Sequence, residues 1–418
     1  MTSFEPEFLV PRAPEAEPEP TKLPPLSLRD PLPAVVDTAD AYESACAAIA
    51  DGSGPLAIDT ERASGYRYSQ RAYLVQLRRE GSGTHLVDPV AFDDLTALDT
   101  AVGDAEWILH AATQDLPCLA EVGMRPRALF DTELSGRLLN LPRVGLATLV
   151  EHFLGRSLAK EHSAADWSTR PLPEPWLVYA ALDVEVLIEL RDLLEVELEK
   201  AGKLAWAREE FEALLSFTAP AAKTDRWRRT SGMHRVRGRR NLAVVREMWL
   251  ARDRIAQARD TTPGRVLHDS AIVEVASAAP ASLDALSALK SMRGRGGKRH
   301  LTEWMEAVRT ALAMPEKDLP GAAGPASDGG PPPARSWNER YPEAADRLGR
   351  LRETVSDTAG HHDLPAENLI APAIVRELAW QPPEDIPVAD FLTQRGARAW
   401  QVRLVAEQFA AALGDDRG

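Results

Sequence analysis

Cysteine is nearly absent: Cys46 and Cys118 are the two in 418 residues, too few for a disulfide framework or a thiolate zinc site. That scarcity suits a reducing compartment. No apolar run approaches the roughly 20 residues needed to cross a bilayer. The acidic, proline-rich start lacks the basic-then-apolar order of a secretory signal. A cytoplasmic protein with no membrane partner is therefore expected. Basic residues are in deficit too, 49 Lys and Arg against 63 Asp and Glu, for a net charge of −14. Taken alone, that sum argues against a nucleic-acid partner. The distribution argues otherwise. Residues 225–315 hold 18 Lys and Arg against 9 Asp and Glu, a basic middle of +9 in a chain whose remainder carries −23.

What is present fits a globular chain with room for two or three domains. Prolines cluster in the first 33 residues and around residue 331. Residues 1–33, rich in Pro and Glu, are expected to form a disordered tail. Short runs at 55–61, 73–79, 84–88, 106–110 and 128–131 read as strands, with Gly81-Ser82-Gly83 as a hairpin turn. Helical patterns fall near 39–50, 93–102, 113–122, 132–140, 146–153 and 174–200. Three antiparallel strands feeding an alternating half predict an α/β domain over 34–215, a mixed five-stranded sheet flanked by helices. Beyond it the strands vanish. Two all-α units, 225–315 and 336–414, are separated by a Pro/Gly/Ala/Ser linker over 316–335. Their features recur in order: Ala271-Ile272-Val273 then Ile374-Val375, a turn, a short helix, and a last helix bearing Trp304 or Trp400. A divergent duplication is the reading.

The chemistry centres on Pro55-Leu56-Ala57-Ile58-Asp59-Thr60-Glu61-Arg62. Residues two apart on a strand share a face, so Asp59 and Glu61 project together. Alone, the pair is either a divalent-metal site or two acids opening a loop. Asp115 follows the strand that delivers His110, in the first turn of a helix, where an acid also suits the helix dipole. Tyr179 and Asp183, four apart on a helix, share a face beside an apolar stripe. Glu185 points elsewhere, toward solvent. Asp131-Thr132-Glu133 repeats the Asp-Thr-Glu string, but a helix starts there at once, so Asp131 reads as its N-cap.

Asp59-x-Glu61, Asp115 after His110 and Gln114, and Tyr179-x-x-x-Asp183, with Tyr73 to Leu77 and Asp166 to Pro171 as context, resemble the three motifs of the DEDD 3′→5′ exonucleases. The variant is the one with tyrosine, as in the bacterial ribonuclease D family. The resemblance covers 34–200, extends over 240–313 to a helicase-and-ribonuclease-D C-terminal (HRDC) domain, and more faintly to 337–413 as a second one. It implies a ribonuclease H-like fold and a metal-dependent exoribonuclease releasing nucleoside 5′-monophosphates from tRNA precursors and other structured RNA 3′ ends. By the same resemblance, Asp59 bridges two Mg²⁺ or Mn²⁺ ions, Glu61 and Asp183 complete one site, Asp115 supports the other, and Tyr179 orients the water. Thr60, Gln76, His110, Gln114 and Trp167 are candidates for the substrate pocket. Gln76, Gln114 and Trp167 could equally be core, and His110 suits a structural hydrogen bond.

Arg235, Arg237, Arg239 and Arg240, with Arg295, Lys298 and Arg299 in a Gly-rich turn, form the candidate nucleic-acid patch. An ordinary solvated surface is the alternative. As an RNA-holding module that feeds a 3′ end to the acids, the patch predicts that deleting 225–418 weakens binding to structured RNA and flattens its salt dependence while sparing cleavage of short single strands. A monomer is expected. The rival functions are a DNA exonuclease and a silent RNA-binding scaffold.

Overall fold

The computed structural model describes residues 23–158, 162–219, 224–322 and 330–414. The six strands are β1 (Val35–Val36), β2 (Ser53–Arg62), β3 (Ala72–Glu80), β4 (Gly83–Val87), β5 (Trp107–Leu109) and β6 (Leu129–Asp131). They form one mixed sheet in the order β1-β4-β3-β2-β5-β6. Pairing along β2-β3-β4 is antiparallel, whereas β5 and β6 run parallel to β2. The five expected strands are all present. The sixth, β1, pairs parallel with β4 through two residues, too short a stretch for any hydrophobic period to register.

Apolar residues at the start of β2 decide its central place: Leu56, Ala57 and Ile58 are fully buried. The helix expected over 174–200 is two, Glu174–Glu185 and Leu187–Lys200, broken at Val186. The break lets the first helix lie across β2, β3 and β4 while the second packs on β5 and the Thr132–Leu138 helix.

Two expectations fail here. Residues 1–22 lie outside the described residues, but 23–33 are not a free tail. Leu26 N–H donates to the Ser157 carbonyl and Ser157 N–H to the Pro24 carbonyl, both at 2.9 Å. Leu28 and Leu32 pack against the cluster around Trp167. Nor is Glu185 solvated. It is buried, with Arg29 at 3.4 Å and Arg78 at 3.3 Å. One of its two arginines, Arg29, comes from a segment that composition alone marks as disordered.

The basic unit, built on the Arg239–Ala258 and Leu301–Ala313 helices, has its own core around Val245, Met248, Ile272 and Trp304. Residues 315–322 belong to it, since Arg239 donates to the Glu316, Leu319 and Pro320 carbonyls. Of the expected linker, 323–329 lie outside the described residues. The last unit, 342–414, shares one continuous core with the α/β domain.

Candidate active site

Strand β5 accompanies β2 only at Leu56 and Ala57. Asp59 to Arg62 therefore run on past the C-terminal end of their parallel neighbour, where open α/β sheets present ligand crevices. Carboxylate oxygens of Asp59, Glu61 and Asp183 lie within 4.8 Å of one another. Asp183 arrives from the helix lying across the sheet, one turn after Tyr179, whose hydroxyl bears on it. Asp115 comes from the other side: Thr60 Oγ1 donates to its Oδ1 at 2.7 Å.

Asp131 caps its helix by accepting from Leu134 N–H at 3.0 Å. It also accepts from Ala111 N–H at 3.1 Å and Ala112 N–H at 2.8 Å. The second pair fixes the turn carrying Ala111 in a left-handed conformation (φ 61°), and this turn leads directly into Asp115. The repeated Asp-Thr-Glu string thus positions a site acid without being one.

All four acids are pushed above the ordinary carboxylate range, chiefly by burial. Asp59 is raised further by Asp183, Glu61 by Asp59, Asp183 and Asp115, and Asp115 by Asp59. For Asp183, the Tyr179 hydroxyl opposes the rise. Burial, then the neighbouring carboxylates, also raise the Tyr179 hydroxyl, so it stays protonated. His110 is pulled down to about 4 by burial and, uncharged, shares a 2.9 Å hydrogen bond with Thr132. A cluster of acids in mutual repulsion, three buried and Asp59 half-buried, calls for cations. An all-oxygen donor set suits a hard divalent ion such as Mg²⁺, so the residues fit the metal.

The four acids, Tyr179, Thr60, His110 and Gln114 all line one cleft of about 360 Å³. Gln76 and Trp167 do not. Both are fully buried: Gln76 sits mid-sheet between Asp59 and Leu86, and Trp167 packs with Leu74 and Ala180. Their expected place in the substrate pocket is corrected to the core. Among the unread residues that line the same cleft, one is charged, Arg62. Its signal was its place directly after Glu61. In the basic unit Arg235, Arg237, Arg295, Lys298 and Arg299 are exposed. Arg239 is exposed as well but donates to the Glu316, Leu319 and Pro320 carbonyls, and Arg240 is half-buried. Arg240 donates to the Ala311, Leu312 and Met314 carbonyls at a helix end and pairs with Glu316 at 2.7 Å. The Gly-rich turn has a packing cause, since a Cβ on Gly296 or Gly297 would collide with the Val266 or Met292 carbonyl.

A family model described as a 3′-5′ exonuclease matches residues 33–199, and one described as the HRDC domain matches 241–308. Residues 330–413 match a third, described as the 3′ to 5′ exonuclease C-terminal domain. Ribonuclease D of Gluconacetobacter diazotrophicus is 32% identical over 375 residues, 87% of this chain and 88% of the relative. Ribonuclease D of Escherichia coli is 31% identical over 291 residues, 68% of this chain and 76% of that one. Among solved structures, a protein from Bifidobacterium adolescentis is 41% identical with a TM-score of 0.86, covering 94% of this chain and 100% of its own. Escherichia coli RNase D, described as an exoribonuclease involved in structured RNA processing, has a TM-score of 0.65 at 26% identity, covering 91% and 98%. No described helix is long and apolar enough to cross a membrane. With exonuclease and HRDC models matched in order, and a curated relative alike along most of both chains, the protein belongs to the ribonuclease D family of metal-dependent 3′→5′ exoribonucleases.

Proposed function

We propose that Asp59, Glu61, Asp115 and Asp183 together hold two divalent ions, Mg²⁺ or Mn²⁺, and that the cleft trims the 3′ ends of structured RNA, tRNA precursors among them, one nucleoside 5′-monophosphate at a time. The observation carrying this is the convergence of Asp59, Glu61 and Asp183 within 4.8 Å, with Asp115 held on the Thr60 side of the same strand. Asp59 converges with Glu61 and Asp183, and its charge also bears on Asp115, so it would serve both ions. When bound, such ions activate water and offset charge on the phosphoryl centre and leaving oxygen. The protein's own part is placement. Tyr179 keeps its proton and, as a hydrogen-bond donor, orients Asp183 and the attacking water rather than acting as a base. Leu146, Ala147 and Leu158 give the cleft an apolar wall against which the terminal nucleoside packs and bulk water is excluded. Neutral His110 and Gln114 offer hydrogen-bonding edges there.

The test is release of mononucleotides from a 3′-labelled RNA with Mg²⁺ and with chelator, comparing wild type, Asp59→Asn and Asp183→Asn. Loss of even a supporting residue of a metal ligand costs 10- to 100-fold, so each substitution should lower the rate by about 100-fold or more. Calorimetry should count two ions per chain. Full activity in Asp183→Asn would remove the proposed mechanism. Competition between matched RNA and DNA oligonucleotides separates the DNA exonuclease alternative.

A further inference from the structure

Arg62 ends β2, directly after Glu61. Asp59 and Glu61 share one face of β2 and Thr60 lies on the other, but the register shifts between Glu61 and Arg62, so alternation alone does not place Arg62. Thr60 touches Asp115, whereas Asp59 and Glu61 converge on Asp183. Arg62 lines the cleft they share, and its charge bears on Asp115 and the neighbouring Cys118 but does not figure at Asp183, which sets it toward the Asp115 side. Its positive charge bears on Asp59, Glu61 and Asp115. Yet it makes no salt bridge or hydrogen bond with any described residue. It is half-buried, lines the cleft, and is the one cationic side chain among the described residues that do. A guanidinium held without a partner beside four acids is set for a ligand that is not protein.

The charge count says which kind. Four carboxylates and two divalent ions cancel in net charge, so beyond the ions' own open positions the loaded site carries no surplus positive charge for an incoming phosphodiester anion. Arg62 supplies the missing positive charge, in the planar, forked form that suits a phosphate. Water activation belongs to the Tyr179–Asp183 side. In an in-line displacement the leaving oxygen departs opposite the attacking water, toward Asp115 and Arg62. Resting on the two-ion reading above, we infer that Arg62 is a substrate-positioning residue that grips the RNA backbone phosphate on the leaving side of the scissile bond.

The experiment compares wild type with Arg62→Gln and Arg62→Lys, each first checked for an unchanged melting temperature. Binding of a fluorescent single-stranded oligoribonucleotide is followed by anisotropy in Mg²⁺ across a salt series, alongside kcat and KM for its cleavage. Losing one charged contact should weaken binding and raise KM about tenfold. It should also flatten the log–log salt slope by about 0.7, the share of one single-strand phosphate contact. Arg62→Lys should restore that slope and part of the affinity. Wild-type affinity and slope in Arg62→Gln would overturn the inference, as would a change confined to Mg²⁺ affinity, which would make Arg62 a counter-charge to the acids. Wild-type protein that binds RNA but releases no mononucleotide defeats the two-ion hydrolase reading instead, and the salt slope still decides the role of Arg62.

Discussion

The two helical units share a plan and differ in how they are attached. The HRDC unit runs Arg239–Ala258, Pro263–Val266, Asp269–Ala278, Leu283–Ala288, Leu301–Ala313, with one extra short helix, Arg295–Arg299, before the last. The last unit runs Pro342–His361, Ala366–Leu369, Pro372–Trp380, Val388–Gln394, Ala399–Gly414. Each has a long helix, a single turn, a medium helix, a short one and a closing one. The last unit is fused to the catalytic domain through aromatics. Trp400 stacks on Trp206, ring centres 5.0 Å apart and 12° from parallel, and donates to Glu210 at 3.0 Å. The HRDC unit keeps a separate core and holds the catalytic domain largely by polar contacts to one loop, residues 63–71. Asp260 accepts from Tyr68 N–H at 3.1 Å, Ser69 N–H at 2.9 Å and the Tyr73 hydroxyl at 3.3 Å. Arg265 lies 4.0 Å over the Tyr66 ring. One helical plan thus serves as a buttress where large apolar rings meet and as a clasped arm where acids meet N–H groups. Surface chemistry, not helix order, sets the difference.

The contrast breaks most readily at Trp400, which is fully buried. Trp400→Ala should cost about 3–5 kcal/mol, as large-to-small aromatic truncations in cores do. Because the core is shared, the catalytic domain and the last unit should melt together at a lower denaturant midpoint. Calorimetry that resolved two transitions, with the catalytic one unmoved, would show the last unit to be an independent domain.

A smaller effect is expected at the clasp. Asp260→Ala leaves three donors without their acceptor, at about 1–3 kcal/mol, and hydrogen exchange should speed up within residues 63–71 while the HRDC core stays protected. That loop follows Glu61 and Arg62 without a break, so cleavage of even a short single strand should slow. Deleting 225–418 should therefore not spare such cleavage: it strips both the clasp and the buttress. Unchanged short-strand rates in Asp260→Ala would return the HRDC unit to a tether.

How much could be read from sequence follows the same physics. The strands around β2 were legible because a buried run bounded by Gly and Pro leaves a local trace, and the four acids because motif spacing fixes order along the chain. Long-range partners leave none. Glu185 looked solvated because Arg29 lies 156 positions away in a proline-rich segment. Arg239 and Arg240 counted as patch because a sequence shows charge but not the backbone carbonyls that accept from it. Gln76 and Trp167 carry polar atoms that suggested a pocket, yet their positions at mid-sheet and under a helix decide for the core.

The smallest effect separates the units by proton linkage. In the catalytic domain Asp59 and Asp183 are raised to about 7, chiefly by burial. The metal-free folded state then holds protons that the unfolded chain has released. Stability is greatest below the unfolded carboxylate range of about 4 and falls as pH rises toward 7, by roughly 1.4 kcal/mol per pH unit for each extra proton held. In the HRDC unit the shifts run the other way: Asp225 is lowered by a hydrogen bond from Arg228, and Glu274 by one from Ser291. Their contribution is complete above pH 5 and flat beyond. Chelator-treated protein should therefore show a melting transition of the catalytic core that drops between pH 5 and 7, beside an HRDC transition that does not move. Adding Mg²⁺ should level the first, because a ligand bound only by the folded state stabilises it most where the carboxylates are ionised. A metal-free catalytic transition flat across that range would mean that the four acids are not buried together, and the two-ion site would fall with it.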